Sequence, residues 1–214
     1  MRIILAALML STLAASAGEL QPAIAEKGAV VLQNDFSEPG AQPKQTWQPR
    51  QHTRWAAADG VFHGQESTAE YQASRGDHQG LEPRLMIRNL PNDYIIEYSF
   101  RINSGEYTAI GAFLEFGHHM ARLSFHDDGA VLTYGGLKDH VTLDSKPDFK
   151  LEQGRWYHVL GEVKGDEVLI RFADGPTFKG KHPKIGDEKD GFGICGLRRG
   201  TMDIDDVTVW SVTR

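Results

Sequence analysis

Strict alternation between large apolar and mostly polar side chains marks the stretch DYIIEYSFRI, which runs from Asp93 to Ile102. One parity carries large apolar residues, namely Tyr94, Ile96, Tyr98, Phe100 and Ile102. The other parity is largely polar and consists of Ile95, Glu97, Ser99 and Arg101. Because successive side chains of a strand point to opposite faces of a sheet, this pattern predicts a strand with one face in a core and the other outside it.

Shorter alternating segments recur about every ten residues along the rest of the chain, and helical periodicity is nearly absent. Further strands are predicted at residues 54–58, 61–65, 69–74, 84–90, 107–116, 121–126 and 130–134. Tight turns are predicted at Asp59-Gly60, Asp128-Gly129 and Gly165-Asp166, because Gly and Asp tolerate positive φ. Segment 34–52 carries three prolines and predicts a long loop. The chain is therefore predicted to be all-β, an antiparallel two-sheet β-sandwich of the jelly-roll type.

The first residues have the features of a secretory signal peptide. Arg2 supplies a positive charge, residues 3–13 form a short apolar run, and Ala15-Ser16-Ala17 offers small residues for cleavage. We expect a signal peptide at 1–17, an N-terminal segment at 18–33 and a single sandwich domain at 34–214, with residues 18 to about 30 contributing little to the fold. The expected location is the periplasm or the outside of the cell.

Charge and cysteine content narrow the function classes. The chain of 214 residues has 23 Lys and Arg against 29 Asp and Glu, a formal charge of −6. Residues 1–17 contain Arg2 and no acid, so their removal changes −6 to −7. This balance argues against a nucleic-acid partner. Cys195 is the only cysteine, which excludes an internal disulfide, and its neighbours in GFGICGL predict a buried strand residue.

Three stretches resemble a known group of sandwiches. Trp156 opens an alternating run that turns at Gly165-Asp166 and ends at Asp174-Gly175. The segment WAAADGV from Trp55 has the form of a first hairpin, and GFGICGL with MDIDDVTVW has the form of closing strands. These features resemble the concanavalin A-like lectin and glucanase sandwiches, including laminin-G-type domains.

Within that group the chain is most similar to the secreted bacterial 3-keto-disaccharide hydrolase domains. The similarity lies in the spacing of Trp156 and Gly165, in Asn103-Ser104-Gly105, and in residues 193–197. Tyr157 replaces the usual Asn of that family, and residues 113–117 are the nearest counterpart of its G-Y-E-x-Q segment. The resemblance implies hydrolysis of a modified sugar by acid/base chemistry without a redox cofactor. The alternative is a non-catalytic glycan-binding module of the lectin type.

The predicted site is a groove of polar side chains on one sheet face. Sheet alternation places Glu97, Ser99 and Arg101 on one face, and the next strands are expected to add Glu115, then Arg122, Ser124 and His126. The proposed catalytic residues are Glu97, Glu115, His126 and His158. The proposed substrate-binding residues are Arg101, Arg122, Glu162, Trp47 and Tyr134. Such side chains can bind sugar hydroxyls and transfer protons, although an ordinary solvated sheet face has the same pattern.

Because exposed charges contribute little to folding, Glu97→Gln or Glu115→Gln is expected to change stability by less than about 0.5 kcal/mol while abolishing turnover. A zinc site is not predicted, since His118 and His119 would point to opposite faces of a strand. His118 and His126 would lie about 26 Å apart on one extended strand. Asp127-Asp128 and the group Asp203, Asp205 and Asp206 are candidates for structural calcium, with solvated turns as the alternative.

Overall fold

A computed structural model describes residues 20–135 and 140–213, so the predicted signal peptide at 1–17 lies outside the described residues. The strands in chain order are β1 (Glu26–Asn34), β2 (Trp47–Pro49), β3 (Arg54–Ala58), β4 (Val61–Gln65), β5 (Arg84–Ile87), β6 (Tyr94–Ile102), β7 (Ala112–Phe116), β8 (Ala121–His126), β9 (Gly129–Tyr134), β10 (Val141–Lys146), β11 (Trp156–Lys164), β12 (Glu167–Phe172), β13 (Thr177–Lys181), β14 (Phe192–Cys195) and β15 (Thr201–Thr213).

These strands form two antiparallel sheets that pack face to face. Sheet A has the order β13-β12-β11-β6-β15-β4-β3, and β1 also pairs with β15. Sheet B has the order β10-β9-β8-β7-β14-β5-β2. The predicted all-β sandwich of the jelly-roll type is confirmed.

The alternation of β6 determines which of its side chains enter the core. All five large apolar residues of its first parity are at most 1% exposed and belong to the main core. They face the inner residues of sheet B, among them Leu114, Phe116 and Leu123. Because both inner faces are occupied in this way, the polar residues of the two sheets lie on separate outer faces of the sandwich.

Two local predictions are wrong. Residues 69–74 form a short helix, α1 (Ala69–Ala73), because the Thr68 side chain accepts a hydrogen bond from the Tyr71 N–H and caps its first turn. Within the predicted loop at 34–52, Trp47–Pro49 forms β2, which pairs with β5. The described part of the chain contains no helix of the length and apolarity that crossing a membrane requires.

The N-terminal segment is part of the fold from Ala23 onward, which corrects the expectation that residues 18 to about 30 contribute little. The N–H groups of Ala23, Ile24 and Ala25 all donate to the carboxylate of Glu162, at 2.9 to 3.1 Å. Strand β1 then continues along β15. Glu162 is 0% exposed and also accepts from Arg171, so it anchors this segment and is not available to a substrate.

Cys195 lies in β14 and is 1% exposed, as its apolar neighbours predicted. Burial raises the pKa of its thiol to about 11, against the opposing influence of Arg84. The thiol is therefore protonated at neutral pH.

The turn between β11 and β12 provides a test of local conformation. Gly165 has φ of +56°, as predicted, and its N–H donates to Asp93. A Cβ at Gly165 would meet no atom within 4 Å, so a substitution there acts through backbone strain alone. Gly165→Val is expected to lower the free energy of unfolding by about 1 to 2 kcal/mol in urea denaturation. Gly76→Val is the control, because a Cβ at Gly76 also meets no atom within 4 Å and Gly76 has no positive φ; equal stability of the two variants would contradict the prediction.

Candidate functional site

A groove crosses the outer face of sheet B. Its main cavity has a volume of about 620 Å³ and is lined by side chains from β2, β5, β7, β8 and β14 together with the loop at 77–82. A smaller cavity of about 180 Å³ adjoins it at Ile110 and Arg122 and extends toward His126. We call the two cavities together the sheet B groove.

A buried ion pair forms the floor of this groove. Glu115 of β7 stands directly opposite Arg122 of β8 in the sheet, and both are less than 7% exposed. The Oε1 atom of Glu115 accepts from Arg122 Nε at 3.0 Å, from Arg122 Nη2 at 2.6 Å and from the His119 N–H at 2.9 Å. Burial raises the pKa of Glu115, but the opposing influence of His118, Arg122 and His119 dominates and lowers it to about 2. The carboxylate is therefore ionised.

The turn between β7 and β8 brings two imidazoles to this carboxylate. Gly117 has φ of +72° and His119 has φ of +61°, so the chain leaves the strand conformation here. As a result both rings lie on the Glu115 side, with centroids 4.0 Å apart. The Nδ1 atom of His118 is 3.5 Å from Oε2 of Glu115, and Nδ1 of His119 is 3.6 Å from Oε1. The prediction that these two histidines point to opposite faces is wrong, because it assumed a regular strand.

The His119 ring has a lowered pKa and accepts a hydrogen bond from Arg122. Burial lowers the pKa of His119, which favours its neutral form. Its Nδ1 atom lies 3.1 Å from Arg122 Nη2 and accepts from that guanidinium, since arginine can only donate. The side chains of His118 and His119 are 54% and 43% exposed, so both rings open toward the groove.

The walls beside the ion pair combine an aromatic ring, a second arginine and a glycine. The guanidinium carbons of Arg122 and Arg84 lie 4.2 and 5.2 Å from the centre of the Phe113 ring. Gly193 of β14 is the neighbour of Glu115 in the sheet, and a Cβ at this position would lie 3.5 Å from Oε2 of Glu115. The missing side chain leaves a notch beside this oxygen in the lining of the groove.

The predicted single groove is wrong, because β6 and β7 belong to different sheets. Glu97 and His158 lie on the outer face of sheet A, where Glu97 Oε1 is 2.9 Å from His158 Nε2. Glu97 also accepts from Lys27 at 3.1 Å, and Ser99 contacts His158 at 3.2 Å. The core therefore separates this cluster from Glu115.

The remaining predicted residues divide between the two faces. Arg101 lies on sheet A and donates to Asp203, whose carboxylate also accepts from Asn103. Arg122 and His126 line the sheet B groove, as the parity of β8 predicted. Of the two acidic groups, the pair Asp127-Asp128 lies at the end of the groove, beyond His126. Calcium binding at either acidic group stays a prediction.

Three predicted substrate contacts do not face the groove. Trp47 is 2% exposed and packs edge-on against Phe36 and Phe62, because β2 carries it into the core. Tyr134 packs against the main core and stacks on His182, with ring centroids 3.9 Å apart. Glu162 is the buried anchor of the N-terminal segment described above.

The sequence analysis did not assign Arg84, Phe113 or Gly193 to the groove, and it considered His118 and His119 only as a zinc pair, which it rejected. One signal was present, since Gly117 immediately precedes the two histidines and favours a turn over a continued strand. The position of Gly193 beside Glu115 could not be read locally, because it depends on the pairing of β7 with β14.

Solved structures that share the jelly-roll fold of this chain include a carbohydrate-binding module and a glucanase. A carbohydrate-binding module, CBM66 from Bacillus subtilis, superposes with a TM-score of 0.52 at 15% identity over 78% of this chain and 96% of that chain. SCLam, a non-specific endo-beta-1,3(4)-glucanase of family GH16, gives 0.57 at 12% identity over 88% and 95% of the two chains.

LamAcat from Zobellia galactanivorans gives a TM-score of 0.56 at 8% identity over 86% of this chain and 98% of that chain. Identities this low show a common fold. No family model and no curated protein sequence matches the chain.

Proposed function

We propose that the protein is a carbohydrate-active domain that binds a glycan in the sheet B groove and hydrolyses a modified, 3-keto glycoside. The observation that carries this proposal is the convergence of Glu115, Arg122, His118 and His119 on the floor of a cavity of about 620 Å³. The superposing structures include a carbohydrate-binding module and an endo-beta-1,3(4)-glucanase, which supports a sugar as the ligand. The cavity volume suits a mono- or disaccharide.

The ion pair favours a modified sugar over an ordinary glycoside. A retaining glycosidase needs a protonated carboxylic acid beside a second carboxylate. Glu115 does not fit the protonated role, because Arg122 and the His119 N–H hold it as a carboxylate. Its free oxygen, Oε2, is instead suited to accept hydrogen bonds from sugar hydroxyls at the Gly193 notch.

A 3-keto group changes what the protein must supply. The ketone acidifies the proton on the neighbouring carbon C2, and the leaving group on C1 is β to the carbonyl. A base can therefore remove the C2 proton while the C1–O bond breaks, which gives an unsaturated ketone; addition of water at C1 completes the hydrolysis. This route requires a base and a positive group near the carbonyl oxygen, without a redox cofactor.

The groove offers both kinds of group. Three imidazoles line the main cavity, namely His78, His118 and His119. Arg84 provides a cation in the same wall. A fixed positive charge in a cavity wall is suited to stabilise an oxyanion of the ligand.

The test uses a substitution that fills the notch without altering any ionisable group. Gly193→Val is expected to reduce sugar affinity and turnover at least tenfold, because its side chain would occupy the space in front of Glu115 Oε2 and Met86. The purified protein is measured by calorimetry and by product formation against a panel of glycosides and their 3-keto derivatives. Gly186→Val, remote from the groove, is the matched control.

The outcomes separate the two function classes. If the unmodified protein hydrolyses 3-keto glycosides and the Gly193→Val variant does not, the result supports the hydrolase. Binding without turnover, removed by the same substitution, supports the non-catalytic glycan-binding module instead. Equal affinity and turnover in the Gly193 and Gly186 variants would place the ligand outside the sheet B groove.

A further inference from the structure

The cluster Glu115, His118 and His119 has the composition and spacing of a three-ligand metal site. One ligand atom from each residue lies within 4.8 Å of the other two. The closest approaches to the carboxylate are 3.5 Å for His118 Nδ1 and 3.6 Å for His119 Nδ1. In a tetrahedral zinc site with bonds of about 2.0 to 2.1 Å, the ligand atoms are about 3.3 Å apart. The cluster therefore needs only small side-chain movements to enclose an ion.

We propose that Glu115, His118 and His119 bind a single divalent transition-metal ion, of the zinc type, at the floor of the sheet B groove. Two imidazoles and one carboxylate are the ligand set of zinc sites that keep a fourth position open. That position faces the main cavity, because both histidine side chains are about half exposed toward it. The fourth ligand would be water or a sugar oxygen.

Arg122 is compatible with this site because its strong bonds converge on one carboxylate oxygen. Both of its donations to Glu115 end on Oε1, at 3.0 and 2.6 Å. Oε2 accepts no hydrogen bond from Arg122, so it stays free for the metal, and the Gly193 notch lies beside it. Metal-binding carboxylates are commonly oriented by such outer hydrogen bonds. His119 would exchange its contact with Arg122 for a bond to the ion.

Nitrogen ligands also predict which cations bind. Imidazole favours zinc, cobalt, nickel and copper, whereas calcium and magnesium prefer six or more oxygen ligands. The proposed site therefore differs from the calcium sites considered at the acidic clusters, which share no residue with it.

The experiment measures metal binding by the purified protein in the absence of sugar. Zinc chloride is titrated by calorimetry, and cobalt chloride is titrated by visible absorption, which reports tetrahedral coordination. We expect one zinc ion per chain, intense cobalt bands, and at least tenfold weaker binding in each of His118→Ala and His119→Ala. His126→Ala, in the same groove, and His63→Ala, on sheet A, are controls that should leave the affinity unchanged.

Folding does not obscure the result, because the two metal-site histidines are partly exposed and each variant can be checked by thermal unfolding. Unchanged stoichiometry and affinity in the double variant His118→Ala/His119→Ala would overturn the proposal, as would the lack of saturable zinc binding. The outcome is independent of the proposed function. Zinc binding without sugar binding would support the metal site and contradict the proposed function. Sugar turnover without zinc binding would support the proposed function and contradict the metal site.

Discussion

Glu115→Gln is expected to lower the free energy of unfolding by about 3 kcal/mol, because it leaves the buried guanidinium of Arg122 without its counter-charge. Arg122 is 6% exposed, and both of its donations to a carboxylate end on this one residue. The expectation from the sequence that this substitution changes stability by less than about 0.5 kcal/mol assumed an exposed carboxylate. Urea denaturation followed by tryptophan fluorescence measures the change.

A double-variant cycle shows whether the ion pair is the cause. Arg122→Gln alone should also destabilise the protein, since it leaves Glu115 buried without its cation. The combined variant Glu115→Gln/Arg122→Gln should lose less than the sum of the single losses, because two amides can pair with each other. Strict additivity would show that the two side chains contribute separately. Because Glu115→Gln is expected to be less stable, its activity must be compared with that of the unmodified protein at temperatures where the variant is folded.

Glu162→Gln is expected to cost about 3 kcal/mol and to release the N-terminal segment from the outer face of sheet A. The fully buried carboxylate accepts from three consecutive backbone N–H groups and from Arg171, and an amide cannot satisfy all of them. Faster trypsin cleavage at Lys27, measured by mass spectrometry, would accompany the loss of stability.

The control for this prediction lies on the neighbouring strand. Glu167 of β12 pairs with the exposed Lys181, so Glu167→Gln should change stability by less than about 0.5 kcal/mol. If Glu162→Gln behaved like this control, the contacts of residues 23–25 with the carboxylate would have no net energetic value.

The parts of the fold that could be predicted are those determined by neighbouring residues. The alternation in β6 identified both of its faces, and Asp59-Gly60 and Gly165-Asp166 form the expected turns with positive φ. The turn after β8 lies one residue earlier than predicted, at Asp127-Asp128. Such patterns depend on local backbone geometry and burial, which are determined by residues that are neighbours in the sequence.

The site depends on the pairing of strands that are far apart in the chain, and local sequence patterns do not show this pairing. Glu97 and Glu115 are close in sequence, but β6 pairs with β11 and β15, while β7 pairs with β8 and β14. Parity gives the face of a strand without giving the sheet to which the strand belongs. The same limit explains Trp47, whose short strand joins β5 from within a proline-rich segment.

The burial of Cys195 has a practical consequence for studying ligand entry. The native thiol is enclosed in β14 and protonated at neutral pH, so it should react slowly with alkylating reagents. A cysteine introduced on the surface, for example Thr142→Cys in β10, would then be the only readily labelled site. A fluorophore attached there could report a sugar or an ion arriving at sheet B without any prior removal of the native thiol.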